Sequence, residues 1–146
     1  MAVQIAPLRE VTGEVLAAFE RLIPQLSRSA PAPDKAALEA VAGFPANTVL
    51  IARSGGQIIG TLTLVMFPIP TGQRAWIEDV VVDEAGRGQG AGTALVMEAL
   101  RLAREAGART VDLTSRASRE AAGRVYEHAG FTIRDTRLYR YSFGEG

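Results

Sequence analysis

The sequence predicts a single domain of the α/β class, a mixed sheet of about seven strands with four helices packed on its faces, in the order β-α-α-β-β-β-α-β-α-β-β. Three observations predict it. Runs of period-two alternation interchange along the chain with runs whose apolar residues recur at helical spacing. The 146 residues are 47% apolar, enough for one buried core, and no shift in composition divides residues 1–146 into two units. A glycine-dense stretch, "DEAGRGQGAGTAL" at 83–95, runs from the end of a strand directly into a helix.

Taken in order, "VQIAPL" reads as an opening strand. Thr12 then caps a helix whose apolar positions Val15, Leu16, Phe19, Leu22, Ile23 and Leu26 share one side, and Pro24 is expected to bend or end it. "SRSAPAP" is loop, and Asp34 caps a second helix, "KAALEAVAGF". "NTVLIARSGGQIIGTLTLVMF" reads as a hairpin turning at Ser54-Gly55-Gly56-Gln57, because glycine supplies the positive φ of a tight turn. "PIPTGQ" reads as loop, "AWIEDVVVD" as the next strand, and "TALVMEALRLAREAGA" as a helix ended by Gly107. "RTVDLTS" is a further strand, followed by the helix "SREAAGRVYEHAG", capped by Ser118 and closed by Gly130. "FTIRDTRLYRYSF" supplies two short final strands.

Composition excludes several classes of function. Sixteen basic residues balance sixteen acidic ones, so no global field draws the chain to nucleic acid or anionic lipid. Without cysteine, and with His128 as its one histidine, the chain lacks thiolate sites and a histidine cluster for a metal, so no metal is expected. The opening residues lack the pattern of a signal peptide and no run approaches the roughly 20 apolar residues of a membrane span, so a cytoplasmic protein without a membrane partner is expected.

Four glycines occupy the seven positions 86–92. Bare backbone before a helix N-terminus presents unpaired N–H groups at the positive end of the helix dipole, which suits an anion such as phosphate. The P-loop of NTPases is excluded, since no Gly-Lys-Ser or Gly-Lys-Thr occurs. A dinucleotide fingerprint is formally present as Gly86, Gly88 and Ala91, but the acidic residue near the required offset, Glu105, lies within the following helix instead of at a strand end.

The run Arg87-Gly88-Gln89-Gly90-Ala91-Gly92 instead resembles the pyrophosphate-binding signature of the GNAT N-acetyltransferase superfamily. "IEDVVVDEAGRGQGAGTAL" with "AAGRVYEHAGF" at 121–131 resembles that family's two central motifs in order, and the likeness covers most of residues 48–143. It implies the GNAT acyl-CoA N-acyltransferase fold with mainly antiparallel strands, and acetyl-CoA as co-substrate in a cleft opened by a bulge in the strand before the glycines. The diphosphate would rest on the amides of residues 88–93, that is Gly88, Gln89, Gly90, Ala91, Gly92 and Thr93, with Arg87 beside them. The strand end Val80, Val81 and Val82 would border the pantetheine arm, with the side chains of Val80 and Val82 lining it. Where the family often has asparagine seven residues before its tyrosine, in contact with the pantetheine arm, this chain has Arg119, so either Ser115 or Ser118 would supply that polar contact or Arg119 would reach a phosphate of the cofactor.

Acetyl transfer to an amine needs a free lone pair, whereas a primary ammonium, with a pKa of roughly 10.4, is almost fully protonated at neutral pH. In "WIEDVVV" strict alternation places Trp76, Glu78, Val80 and Val82 on one face and Ile77, Asp79 and Val81 on the other, unless a bulge shifts the register. Glu78, sharing a face with the strand end beside the phosphate loop, is the favoured general base, directly or through water. A carboxylate that only orients the acceptor remains open, and Asp79 is the reserve, more simply read as partner to an arginine. Tyr126 stands at the family position whose hydroxyl protonates the departing thiolate; the competing reading is a half-buried core tyrosine. With no cysteine to carry an acetyl group, direct attack in a ternary complex and sequential kinetics are expected.

The acceptor side is expected to involve the first two helices, their loop and "FPIPTGQ". Tyr139, Arg140 and Tyr141 either close that side or form a homodimer contact. The main functional expectation is an acetyl-CoA-dependent N-acetyltransferase acting on a small-molecule primary amine, a phosphorylated amino sugar being one candidate. A protein or peptide acceptor, or a non-catalytic acyl-CoA-binding regulator, are the alternatives.

Overall fold

Residues 2–116 and 119–144 are described by a computed structural model. Five strands form one sheet in sequence order: β1 (Val3–Pro7), β2 (Asn47–Ser54), β3 (Gln57–Ile69), β4 (Gly72–Val82) and β5 (Thr110–Asp112). The first four are antiparallel, and only β4 and β5 run parallel. Gly55 and Gly56, at φ 59° and 81°, form the β2–β3 turn, because the right-handed twist of paired strands favours a turn with both central residues at positive φ.

Four α-helices cover the sheet: α1 (Gly13–Leu26), α2 (Lys35–Gly43), α3 (Ala91–Glu105) and α4 (Glu120–Ala129). Thr12 Oγ1 accepts from the Val15 N–H at 3.3 Å and Asp34 Oδ1 from the Ala37 N–H at 2.8 Å, so both predicted caps form. Pro24 does not end α1, which continues to Leu26. On one face, Leu50, Leu62, Leu64, Ala75 and Ile77 pack with Leu95, Val96, Ala99 and Ala103 of α3; on the other, Val49, Ile51, Ile58 and Val81 pack with Val15, Phe19 and Leu22 of α1 and Leu38 of α2. Leu95 has no exposed surface. Leu95→Ala is therefore expected to cost about 2–5 kcal/mol in urea unfolding, by lost transfer energy plus the cavity left behind.

Four expectations need correction. The sheet has five strands among the described residues, not about seven. The two final strands do not form: residues 131–144 join no ladder, and Ile133 and Phe143 are 92% and 90% exposed. Alternation in "FTIRDTRLYRYSF" supplies a side-chain pattern, but a strand also needs a neighbour for its N–H and C=O groups. "PIPTGQ" is no loop either, because β3 and β4 extend through it and turn at Pro70-Thr71. Finally, β5 is three residues long, and Ser118, the expected α4 cap, lies outside the described residues.

Candidate active site

The site forms where β4 loses regularity. Thr61 pairs with Val81 and Thr63 with Glu78, so Asp79 and Val80 together oppose Leu62, which is a β-bulge. Asp79 carries it at φ 51°, a left-handed conformation that aspartate tolerates better than most residues. The bulge inverts the alternation. Ala75 and Ile77 face α3 before it, Val80 and Val82 face α3 after it, and Val81 points under α1. Strict alternation would have put Glu78 with Val80 and Val82; the register instead puts it with Val65, whose partner is Trp76, on the opposite face.

At the other edge, β4 pairs with β5 only through Arg74, Ala75 and Trp76. Beyond Trp76 no described strand pairs with that edge, so the β4 backbone from Ile77 to Val82 borders a gap between diverging strands. An extended chain bearing amides could hydrogen-bond there. Arg74 and Asp112 are ion-paired across the last paired rungs.

The glycine run follows. A single 3-10 turn, Glu84–Gly86, leads from β4 into the loop. A Cβ on Gly86 would lie 2.9 Å from the Ile59 Cβ, so this glycine serves close packing and not a ligand. Gly88 and Gly90, at φ 86° and 79°, are required by conformation, and nothing lies within 4 Å of where their Cβ atoms would be. Gly90 occupies the N-cap of α3 without a capping side chain. Among the described residues, no group accepts a hydrogen bond from the N–H groups of residues 88–93, which leaves a row of unpartnered donors at the positive end of α3. That cradle suits a diphosphate.

The loop is braced from α1. Arg21 Nε donates to Asp83 Oδ2 at 2.9 Å, its Nη2 donates to the Ile58 carbonyl at 2.8 Å, and Gln25 bridges by donating to Asp83 Oδ1 at 3.3 Å and accepting from the Glu84 N–H at 3.0 Å. The Arg21 hydrogen bond in particular holds the Asp83 carboxyl below the ordinary carboxylate range. Sequence reasoning missed this brace, since residues 21, 25 and 83 share no motif. Arg21→Ala is expected to raise KM for acetyl-CoA about fivefold to tenfold, equivalent to one charge-assisted hydrogen bond, with the amine KM unchanged in initial-rate measurements. Gln89 lies in hydrogen-bond contact with Ser54.

Glu78 lines an open cleft of about 400 Å³ on the α1 side of the sheet. Val65, Phe67, Trp76 and Leu138 form its apolar walls, with Thr114 and Arg140 as the other polar groups. Burial, and secondarily the charge of Asp79, pushes the Glu78 carboxyl above the 4.5 of an ordinary glutamate, making it a stronger base. Asp79 is exposed and makes no ion pair among the described residues, unlike the structural partner envisaged for it.

Tyr126 does not line this cleft. It packs on the α3 face, edge-on to Phe131 with ring centroids 5.9 Å apart. Burial raises its pKa, partly offset by Arg119, so its hydroxyl remains protonated near neutral pH. Glu78 and Tyr126 thus belong to opposite faces of the sheet. Val81 is buried and can offer a ligand only its backbone, whereas Arg87, Thr93, Ser115 and Arg119 are exposed. Among the described residues no group of three potential metal ligands occurs, and no helix is long and apolar enough to cross a membrane.

Residues 15–131 match the family model for the acetyltransferase (GNAT) family. The chain belongs to the GNAT family. Within GNAT proteins, a glucosamine 6-phosphate N-acetyltransferase from Trypanosoma brucei brucei is 38% identical over 86 residues, covering 57% of this chain and 56% of that protein, so the match spans about half of either. A solved structure described as a transcriptional regulator from Bacillus halodurans C-125 is 30% identical, with a TM-score of 0.80 over 96% of this chain and 99% of that one. The glucosamine-6-phosphate N-acetyltransferase of Arabidopsis thaliana, 20% identical, shares the fold with a TM-score of 0.80 over 97% of this chain and 99% of that one. The mixed sheet with four helices is thus the GNAT arrangement.

Proposed function

We propose that the chain transfers the acetyl group of acetyl-CoA to the primary amine of a small molecule, by direct attack within a ternary complex. The observation that carries this reading is the row of unpartnered amides at residues 88–93. Those amides, with Arg87, hold the diphosphate; the free edge of β4 and the side chains of Val80 and Val82 guide the pantetheine arm, and Ser115 and Arg119 flank its other side. Acetyl-CoA supplies an activated acyl thioester.

The free edge of β4 lies between the Glu78 face and the Tyr126 face, so the two groups act from opposite sides. Glu78 accepts the proton that the amine loses as its nitrogen bonds to the acyl carbon. Tyr126 donates its hydroxyl proton to the sulfur as the carbon–sulfur bond breaks, and water restores both groups. Asp79, one residue from the base, serves through the bulge it forms. As Glu78 must be ionised to act, kcat/KM is expected to fall as pH drops through its raised pKa, with the inflection above 4.5. Glu78→Gln should remove that inflection and lower kcat by about 10²–10⁴-fold, as read from pH–rate profiles.

Screening a panel of small amines by release of coenzyme A tests the reading as a whole; turnover of at least one amine with sequential initial-rate kinetics is expected, and parallel ping-pong lines contradict it. A second reading, a non-catalytic acyl-CoA-binding regulator, is favoured by the likeness to a structure described as a transcriptional regulator. Tight acetyl-CoA binding with no acetylation of any small amine or protein would select it.

A further inference from the structure

We infer that the acceptor is an anionic amine, a molecule carrying a primary amine at one end and a phosphate or carboxylate at the other, and that Arg140 reads the anion. This deepens the acetyltransferase reading and rests on it for the identity of the amine as acceptor. The cleft on the α1 side of the sheet has three polar side chains of unlike character: the carboxylate of Glu78, the hydroxyl of Thr114 and the guanidinium of Arg140. Among the described residues everything else lining it is apolar, with Phe67 and Trp76 offering aromatic walls.

Such a lining carries an anion and a cation that form no ion pair with each other. Glu78 lies beside Asp79 at the bulge, so these carboxylates attract an ammonium and repel an anion. Arg140 makes no ion pair among the described residues, in contrast to Arg74, which Asp112 neutralises, and to Arg101, which Glu98 and Glu105 engage. Its planar fork of donors is therefore available to take two oxygens of a phosphate or carboxylate in parallel. An acceptor with both charges is held in one orientation, amine toward Glu78 and the β4 edge, anion toward Arg140, its body against Phe67 and Trp76. With a formal net charge of zero the chain has no general attraction for anions, so any preference must come from this local cation.

Trp76 is the only tryptophan in the chain and lines the cleft, so its fluorescence reports binding directly. In the presence of coenzyme A, the full chain is titrated with glucosamine 6-phosphate against glucosamine, and with phenylalanine against phenylalaninol. The first pair tests a phosphate, the second a carboxylate. At least tenfold tighter binding of the anionic member of one pair is expected, falling to about twofold or less in Arg140→Gln and partly retained in Arg140→Lys. Acetyl-CoA affinity, measured on the same variants, should not change, which separates loss of the site from loss of the fold. Equal affinity within both pairs, or a preference that survives Arg140→Gln, overturns the inference. Arg140-dependent anion binding without release of coenzyme A from acetyl-CoA sinks the catalytic reading while supporting the anion site; turnover of neutral amines without charge preference does the reverse.

Discussion

Gly92→Leu is expected to raise the Kd for acetyl-CoA at least 100-fold while leaving the melting temperature unchanged or slightly higher. Gly92 lies in the first turn of α3, in a conformation that any residue can adopt, and a Cβ there would meet only the Val82 Cγ2 at 3.8 Å, an ordinary contact. Replacing a helical glycine by leucine also gains roughly 0.5–1 kcal/mol of helix propensity. The fold therefore tolerates the change, but a branched side chain stands over the donor row and keeps phosphate oxygens from the amides. Gly90→Leu is the informative contrast. At φ 79° it adds about 1–2 kcal/mol of backbone strain, so binding and stability should fall together. Calorimetric titration alongside thermal unfolding separates the two. Wild-type affinity in Gly92→Leu would place the diphosphate elsewhere.

Tyr126→Phe is expected to lower kcat by about 10²–10³-fold with little change in KM for acetyl-CoA. Phenylalanine preserves the edge-on packing against Phe131 and removes only the hydroxyl, so a structural role predicts almost no loss. Burial keeps this hydroxyl protonated, as an acid for the leaving thiolate requires. The deficit should shrink when the acetyl donor is an aryl thioester, whose thiolate leaves without needing a proton. A kcat within twofold of wild type, or a deficit independent of the leaving group, removes Tyr126 from the chemistry.

Much of the fold was legible in the residues where its signals are local. The caps Thr12 and Asp34, the Gly55-Gly56 turn and the glycine-rich start of α3 each depend on a few neighbouring residues, and each forms. What could not be read depends on partners distant in the chain. The bulge at Asp79 is a mismatch between β3 and β4, so period-two alternation put Glu78 on the same face as Val80 and Val82 when the register separates them. Gly86 counted among the four clustered glycines without a role of its own, and the side chain of Ile59 on β3 supplies one. The tail 131–144 shows the converse: a strand-like pattern with no strand beside it stays irregular. Arg140 lines the cleft from that tail, where alternation gave no reason to choose it over Tyr139 or Tyr141.

Backbone amide resonances followed during titration with acetyl-CoA test the donor row most directly. The largest shifts should fall on Gly88, Gln89, Gly90, Ala91, Gly92 and Thr93, moving downfield as phosphate oxygens accept their hydrogen bonds, with smaller changes along Ile77–Val82. Saturating acetyl-CoA that leaves those six resonances in place, or moves only residues remote from the start of α3, would contradict a diphosphate seat at this helix.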